Sequence, residues 1–163
     1  MQFNLKKLRT NEGVEQTAHY TLKVQQSLFD SLASGETEVT INGSAVCKNQ
    51  LIVITYQVDF MFHTLCARCL DPVERKMSYS FLHELDREEI EGFEEGIIVD
   101  NDFLDLDKLA VSDIQLNFPL KILCTENCKG LCPVCGTNLN HGSCNCSSQS
   151  IDPRLEALKE LLQ

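Results

Sequence analysis

The chain is 163 residues long, carries a formal net charge of −10 and contains nine cysteines. That length allows one sizeable core, while an odd cysteine count sits badly with a complete disulfide framework and an acidic balance with long-range attraction to nucleic acid. The longest apolar-rich run, residues 51–65, is interrupted by Thr55, Gln57, Asp59 and His63, which excludes it as a helical membrane span.

The first residues, Met1–Lys6, are not followed by an apolar signal-peptide core, so a cytoplasmic setting with reduced thiols is expected. Residues 1–25 hold strand-like pieces at Phe3–Leu5 and His19–Val24 around a polar loop at Thr10–Gln16. Leu28, Phe29 and Leu32 recur at helical spacing and predict a short helix, with Gly35 as its left-handed stop. From Val39 the period becomes two. Asn42-Gly43 reads as a turn or bulge. Beyond it Ile52, Ile54, Tyr56, Val58, Phe60 and Phe62 share one face of a half-buried antiparallel strand. A strand of that length is expected to bend or to contain a bulge.

Cys66-Ala-Arg-Cys69 follows at once, and then a second alternating run in which Val73, Met77, Tyr79, Phe81 and Leu85 share a face. Two strands joined by such a loop form a hairpin with a metal-binding knuckle at its tip. Ile97–Val99 is a short strand candidate, and Asp105 caps a predicted helix with Leu106, Leu109, Ala110 and Ile114 on one face, stopped by Pro119. After a polar linker at Ser147–Ser150, Asp152-Pro153 signals a C-terminal helix striped by Leu155, Leu158, Leu161 and Leu162.

Charge is unevenly spread. Between Glu84 and Asp107 stand eleven acids and one base, Arg87, while the remainder balances at 13 basic and 13 acidic residues. The flank reads as a solvated acidic loop or as a surface for a basic protein partner.

Eight of the nine cysteines fall into pairs: Cys66/Cys69, Cys124/Cys128, Cys132/Cys135 and Cys144/Cys146. Eight thiolates suit two closed, tetrahedral, structural zinc sites. The spacing fits neither ferredoxin pattern of iron–sulfur ligation. Proximity favours Cys132, Cys135, Cys144 and Cys146 as one local site, with Cys66, Cys69, Cys124 and Cys128 tying the hairpin tip to the C-terminal segment. A crossed grouping of Cys66/Cys69 with Cys132/Cys135 stays open. Cys47 is an ordinary buried thiol by this reading, and His141 is a minor candidate ligand. A complete thiolate shell has no open position for a reactive water. No nucleophile elbow, P-loop or dinucleotide turn occurs in the sequence, so an enzyme is not expected.

The ordered motifs Cys66-Ala-Arg-Cys69-Leu70, Lys129-Gly130-Leu131-Cys132-Pro133 and Asp152-Pro153-Arg154-Leu155 resemble the bacterial YceD family of large ribosomal RNA subunit accumulation proteins, from about Asn42 onward. The resemblance implies a non-enzymatic factor for accumulation of the large-subunit (23S) ribosomal RNA, with the cysteines as metal positions. Its partner is then that RNA, through Arg68, Lys121 and Lys129, or a basic large-subunit ribosomal protein met by the acidic flank. A zinc-ribbon nucleic-acid binder and a zinc–thiolate redox switch are the competing classes.

The expected architecture is one α+β domain over residues 1–163. It comprises N-terminal strands and a short helix (1–41), antiparallel strands with the C-x-x-C tip (42–85), an acidic loop (86–104), a helix (105–119), a zinc-binding segment (120–150) and a C-terminal helix (151–163).

Overall fold

The period-two run becomes a four-stranded antiparallel sheet, ordered β2-β3-β4-β5, from β2 (Glu15–Gln25), β3 (Glu36–Lys48), β4 (Leu51–Leu65) and β5 (Pro72–Leu85). A computed structural model describes residues 1–86, 99–100 and 102–146, so the expected helix at 151–163, Ile97, Ile98 and most of the acidic loop lie outside the described residues. A second, three-stranded sheet orders β1 (Gln2–Asn4), β7 (Phe103–Asp105) and β6 (Val99–Asp100) as β1-β7-β6. With α1 (Leu5–Thr10) and α2 (Leu106–Asn117) the architecture is α+β.

One face of the large sheet is the core. Ile52, Ile54, Tyr56, Val58, Phe60 and Phe62 of β4 are all buried, as the alternation predicts. Cys47 is buried on the same side, as an ordinary thiol should be. Helix α2 lies across this face with the predicted buried set, Leu106, Leu109, Ala110 and Ile114, and Asp105 at its N-cap accepting from the Asp107 amide. Two tyrosines pin the helix to the sheet: Tyr20 donates to Asp107, and buried Tyr56 donates to Asp113. His83 Nε2 lies 2.7 Å from the same Asp113 carboxylate. Burial, reinforced by these carboxylates, pushes both phenols far above their ordinary pKa, so they act as permanent donors.

Several local expectations are corrected. Asn42-Gly43 lies mid-strand in β3, with Gly43 opposite Tyr56; the turn is at Asn49-Gln50, both with positive φ as a two-residue hairpin requires. Gly43 is there for space, because a Cβ would stand 2.9 Å from Tyr56 Cβ and 3.5 Å from Leu106 Cδ2. Leu28, Phe29 and Leu32 form no helical face: only a 3-10 turn spans Gln26–Leu28, both leucines stay exposed, and Phe29 alone packs inward, on Phe60, Phe62 and Phe118. Gly35, although left-handed as expected, returns the chain from β2 to β3.

Strand β4 carries no bulge, since its registers with β3 and β5 run unbroken. The ladder of β3 to β4 ends at Thr40↔Asp59. Beyond that point side chains take over: Thr37 Oγ1 donates to Met61 O at 2.6 Å, and buried Gln26 accepts from the His63 amide at 2.8 Å. Finally, Phe3 pairs with Leu104 in the small sheet and not with the large one, and Leu5 and Leu8, buried one turn apart behind the Asn4 cap, make α1. The polar loop is shorter than expected because Glu15 and Gln16 already belong to β2, with Gln16 bonded to the Asn4 backbone at both ends of its amide.

The close approach at Gly43 yields a prediction. Gly43→Val should destabilise the fold by about 1–3 kcal/mol, as overpacking does; an unchanged urea midpoint would show that the Tyr56–Leu106 contact tolerates a side chain.

Candidate metal centre

Strands β4 and β5 continue past β3 and end in the loop Cys66–Asp71, closed by Cys66 N to Asp71 O at 2.8 Å and by Leu70 N to Cys66 O at 3.0 Å. The amides of Arg68 and Cys69 point at Cys66 Sγ, and Leu70 turns the chain with φ +62°. The same turn recurs at Cys132–Cys135. There the amides of Val134 and Cys135 point at Cys132 Sγ, Gly136 N donates to Cys132 O at 2.9 Å, and Gly136 takes φ +74°. Backbone amides aimed at sulfur are what the C-x-x-C spacing is for, since they stabilise a thiolate held in the turn.

Past α2 and Pro119 the chain runs alongside the hairpin tip. Ala67 N donates to the carbonyl of buried Ile122 at 2.9 Å, and Arg68 Nη1 donates to Cys128 O at 2.9 Å. Leu131 N donates to Arg68 O at 3.2 Å, and Gly130 admits this approach: its φ is +75°, and a Cβ would lie 3.2 Å from Arg68 O. The Lys-Gly-Leu sequence therefore seats the second knuckle against the first.

These connections bring all eight paired cysteines into two groups: Cys66, Cys69, Cys124 and Cys128, and Cys132, Cys135, Cys144 and Cys146. Proximity, not the crossed grouping, describes the arrangement. Within each group the ligand atoms lie within 4.8 Å of one another. Four thiolates about 2.3 Å from a central ion sit about 3.8 Å apart at the corners of a tetrahedron. Cys66 and Cys128 Sγ are 3.7 Å apart, and Cys69 and Cys124 Sγ 3.5 Å, so the first group has the size of such a shell. The donor set fits a soft, closed, tetrahedral ion such as zinc.

Each group divides into two thiols of lowered and two of raised pKa. In the first, burial opposes ionisation of Cys66, but the turn amides outweigh it and bring its pKa down to about 6. Cys128 is also lowered, because the Asn140 amide and the Gly130 N–H outweigh its burial. Burial raises Cys69 and Cys124. In the second, Thr137 brings Cys135 down to about 6, and turn amides lower Cys132. Cys146 is pushed up to about 12, chiefly by its contact with Cys135, and Cys144 is raised because the neighbouring thiols and burial outweigh the Cys146 amide. Four thiols this close do not ionise together without a cation among them.

The two groups differ in exposure. Cys66, Cys69 and Cys128 are buried, whereas in the second group only Cys132 is buried and Cys135 is exposed. His141 does not join the second group; its Nε2 lies 3.1 Å from Asp71 Oδ2 beside the first. Residues that motif spacing does not reveal are Asp71, Asn138 and Asn140, which contact the first group's sulfurs or each other. For Asn138 and Asn140 the signal is only the polar-rich segment Thr137–His141 between two cysteine pairs.

Comparison with known proteins places this geometry in a family. Residues 54–162, a span that contains both cysteine groups, match the family described as large ribosomal RNA subunit accumulation protein YceD. Uncharacterized proteins of Mycobacterium tuberculosis and Mycobacterium bovis are 33% identical over 103 residues, covering 60% of this chain and 49% of theirs. The chain thus spans about half the length of these curated relatives. A maize protein named as a chloroplastic YCED homolog 1 of the large ribosomal RNA subunit accumulation type is 41% identical over 49 residues, 29% of this chain and 17% of its own. No solved structure matches the chain significantly. With its hairpin tip and both cysteine groups inside the matched span, the chain belongs to the YceD family of large ribosomal RNA subunit accumulation proteins.

Proposed function

We propose that this chain is a non-enzymatic, cytoplasmic factor for accumulation of the large-subunit (23S) ribosomal RNA, acting by binding on a surface held in shape by two zinc ions. The observation that carries the reading is the pair of four-thiol groups at the end of the β4–β5 hairpin. When bound, zinc supplies a cross-link with a full thiolate shell, which leaves no position for a reactive water. Cys66, Cys69, Cys124 and Cys128 then fasten the hairpin tip to the segment after α2. Cys132, Cys135, Cys144 and Cys146 close the second knuckle on itself.

The partner is the large-subunit RNA, a basic large-subunit ribosomal protein, or both in one particle. Charge favours the protein as the direct contact. A dication among four thiolates leaves about −2 at each site, and the nearby bases serve first to offset it. Arg68 is held beside the first group by its bond to the Cys128 carbonyl, so its charge lies where the thiolates are. On the acidic flank, Asp105 caps α2 and Asp107 holds Tyr20, so these two carboxylates are engaged within the fold.

Two expected outcomes follow. Native mass spectrometry should count two zinc ions per chain. Cys128→Ser should remove one of them and lower the melting temperature far more than Cys47→Ser, because metal binding that closes a long loop is folding free energy. A metal-free, fully folded chain with eight reactive thiols would refute the zinc scaffold. For the partner, capture from cells followed by RNase treatment should leave a basic large-subunit protein bound; its loss together with the RNA would mean that the RNA is the direct contact.

A further inference from the structure

The loop that joins the two pairs of the second cysteine group spends its polar side chains on the first group. Asn140 Nδ2 donates to Cys128 Sγ at 3.3 Å, while its Oδ1 accepts from Lys129 N at 2.8 Å. Asn138 Nδ2 lies 3.0 Å from both carboxylate oxygens of Asp71, and its Oδ1 accepts from Asn140 N at 3.0 Å. His141 Nε2 lies 3.1 Å from Asp71 Oδ2. Asp71 in turn closes the first knuckle through its carbonyl and touches Cys69 Sγ at 3.2 Å.

Asn138 and His141 thus hold the carboxylate that lies against the Cys69 sulfur, a positioning contact one step removed from the ligand. At Cys128 the logic is simpler, because an amide donor to a ligand sulfur orients it and stabilises its charge. Both supports sit on residues 136–143, whose two ends are the cysteine pairs of the second group. With those ends unclamped, ordering the loop to make the same hydrogen bonds costs conformational entropy.

We infer that the two groups bind metal with positive coupling: the loop 136–143, clamped by a dication on the second group, is the outer shell of the first and raises its affinity. Asn138 and Asn140 are its positioning residues. This rests on the two-site metal reading proposed above, and the coupling is reciprocal by linkage.

Cobalt(II) titration of the full chain, read by thiolate-to-cobalt charge-transfer absorbance, tests it apart from that reading. In Cys135→Ser/Cys144→Ser only the first group remains, and its affinity should fall 10- to 100-fold, the usual effect of losing outer-shell partners. Asn138→Ala/Asn140→Ala keeps all eight cysteines, so it should still take two ions but weaken the first group by a similar factor. Combined, the four substitutions should cost little more than the cysteine pair alone, because they break one pathway. First-group affinity unchanged within twofold in either variant, or fully additive losses, overturns the coupling while two sites stand. Should the cysteine variant fail to fold, the cooperativity of the two cobalt steps decides: the wild type should bind the ions cooperatively and Asn138→Ala/Asn140→Ala independently, and equal cooperativity in both overturns the coupling. A wild-type chain that takes no cobalt overturns the metal reading and the coupling with it.

Discussion

The clasp between Cys66/Cys69 and Cys124/Cys128 is the contact on which the far end of the molecule depends. Strand β4 loses β3 after Asp59 and runs on to Leu65 paired only with β5. A two-stranded ribbon is marginal on its own in water. What holds it comes from three sides: the Thr37 and Gln26 side chains on its open edge, the phenylalanine cluster beneath it, and the thiol group at its tip. Apolar packing of Val73 with Leu123 and Leu131, and of Phe62 with Phe118, joins it to the segment after α2 beside the thiol group.

The two knuckles show one turn built at different conformational cost. Both need a left-handed residue just after the second cysteine. Gly136 takes that conformation without a steric penalty, whereas Leu70 does so against about 1–2 kcal/mol. The strained version is the buried one, packed with Val73, Leu123 and Leu131, and the relaxed version is the exposed one. Strain of this kind persists only where surroundings over-determine the backbone. At Leu70 they do, through the hairpin register, the bond to the Cys66 carbonyl and the clasp.

Much of this was legible in the chain. The faces of β4 and β5, the Asp105 cap with its four buried partners, and the grouping of the cysteines all follow from short-range periodicity and proximity. What failed was everything decided by packing across the sheet. Asn42-Gly43 has turn chemistry, yet Gly43 is required by Tyr56 and Leu106, residues far away in sequence. Leu28 and Leu32 have helical spacing, but only a 3-10 turn forms there, and they remain exposed. Asp113, which periodicity does not single out, is buried and bonded to Tyr56 and His83. Asn138 and Asn140 were invisible because they meet atoms more than ten residues distant.

The acidic flank gains its meaning from where it is tied. Leu85, at the end of β5, is buried opposite Ile52, and Val99, at the start of β6, is buried opposite Leu104. The connection between them is therefore fixed in the core at both ends, whatever it meets in between. Like charges directly opposite one another weaken a ladder, and eleven acids stand between Glu84 and Asp107 in the sequence. At low salt such a concentration of one sign speeds encounter with a basic partner, and over a Debye length of about 8 Å at physiological ionic strength it still acts close to the surface. Under the proposed function, the thiol clasp and the flank divide the work: one fixes the shape of the molecule's end, and the other brings the partner to it.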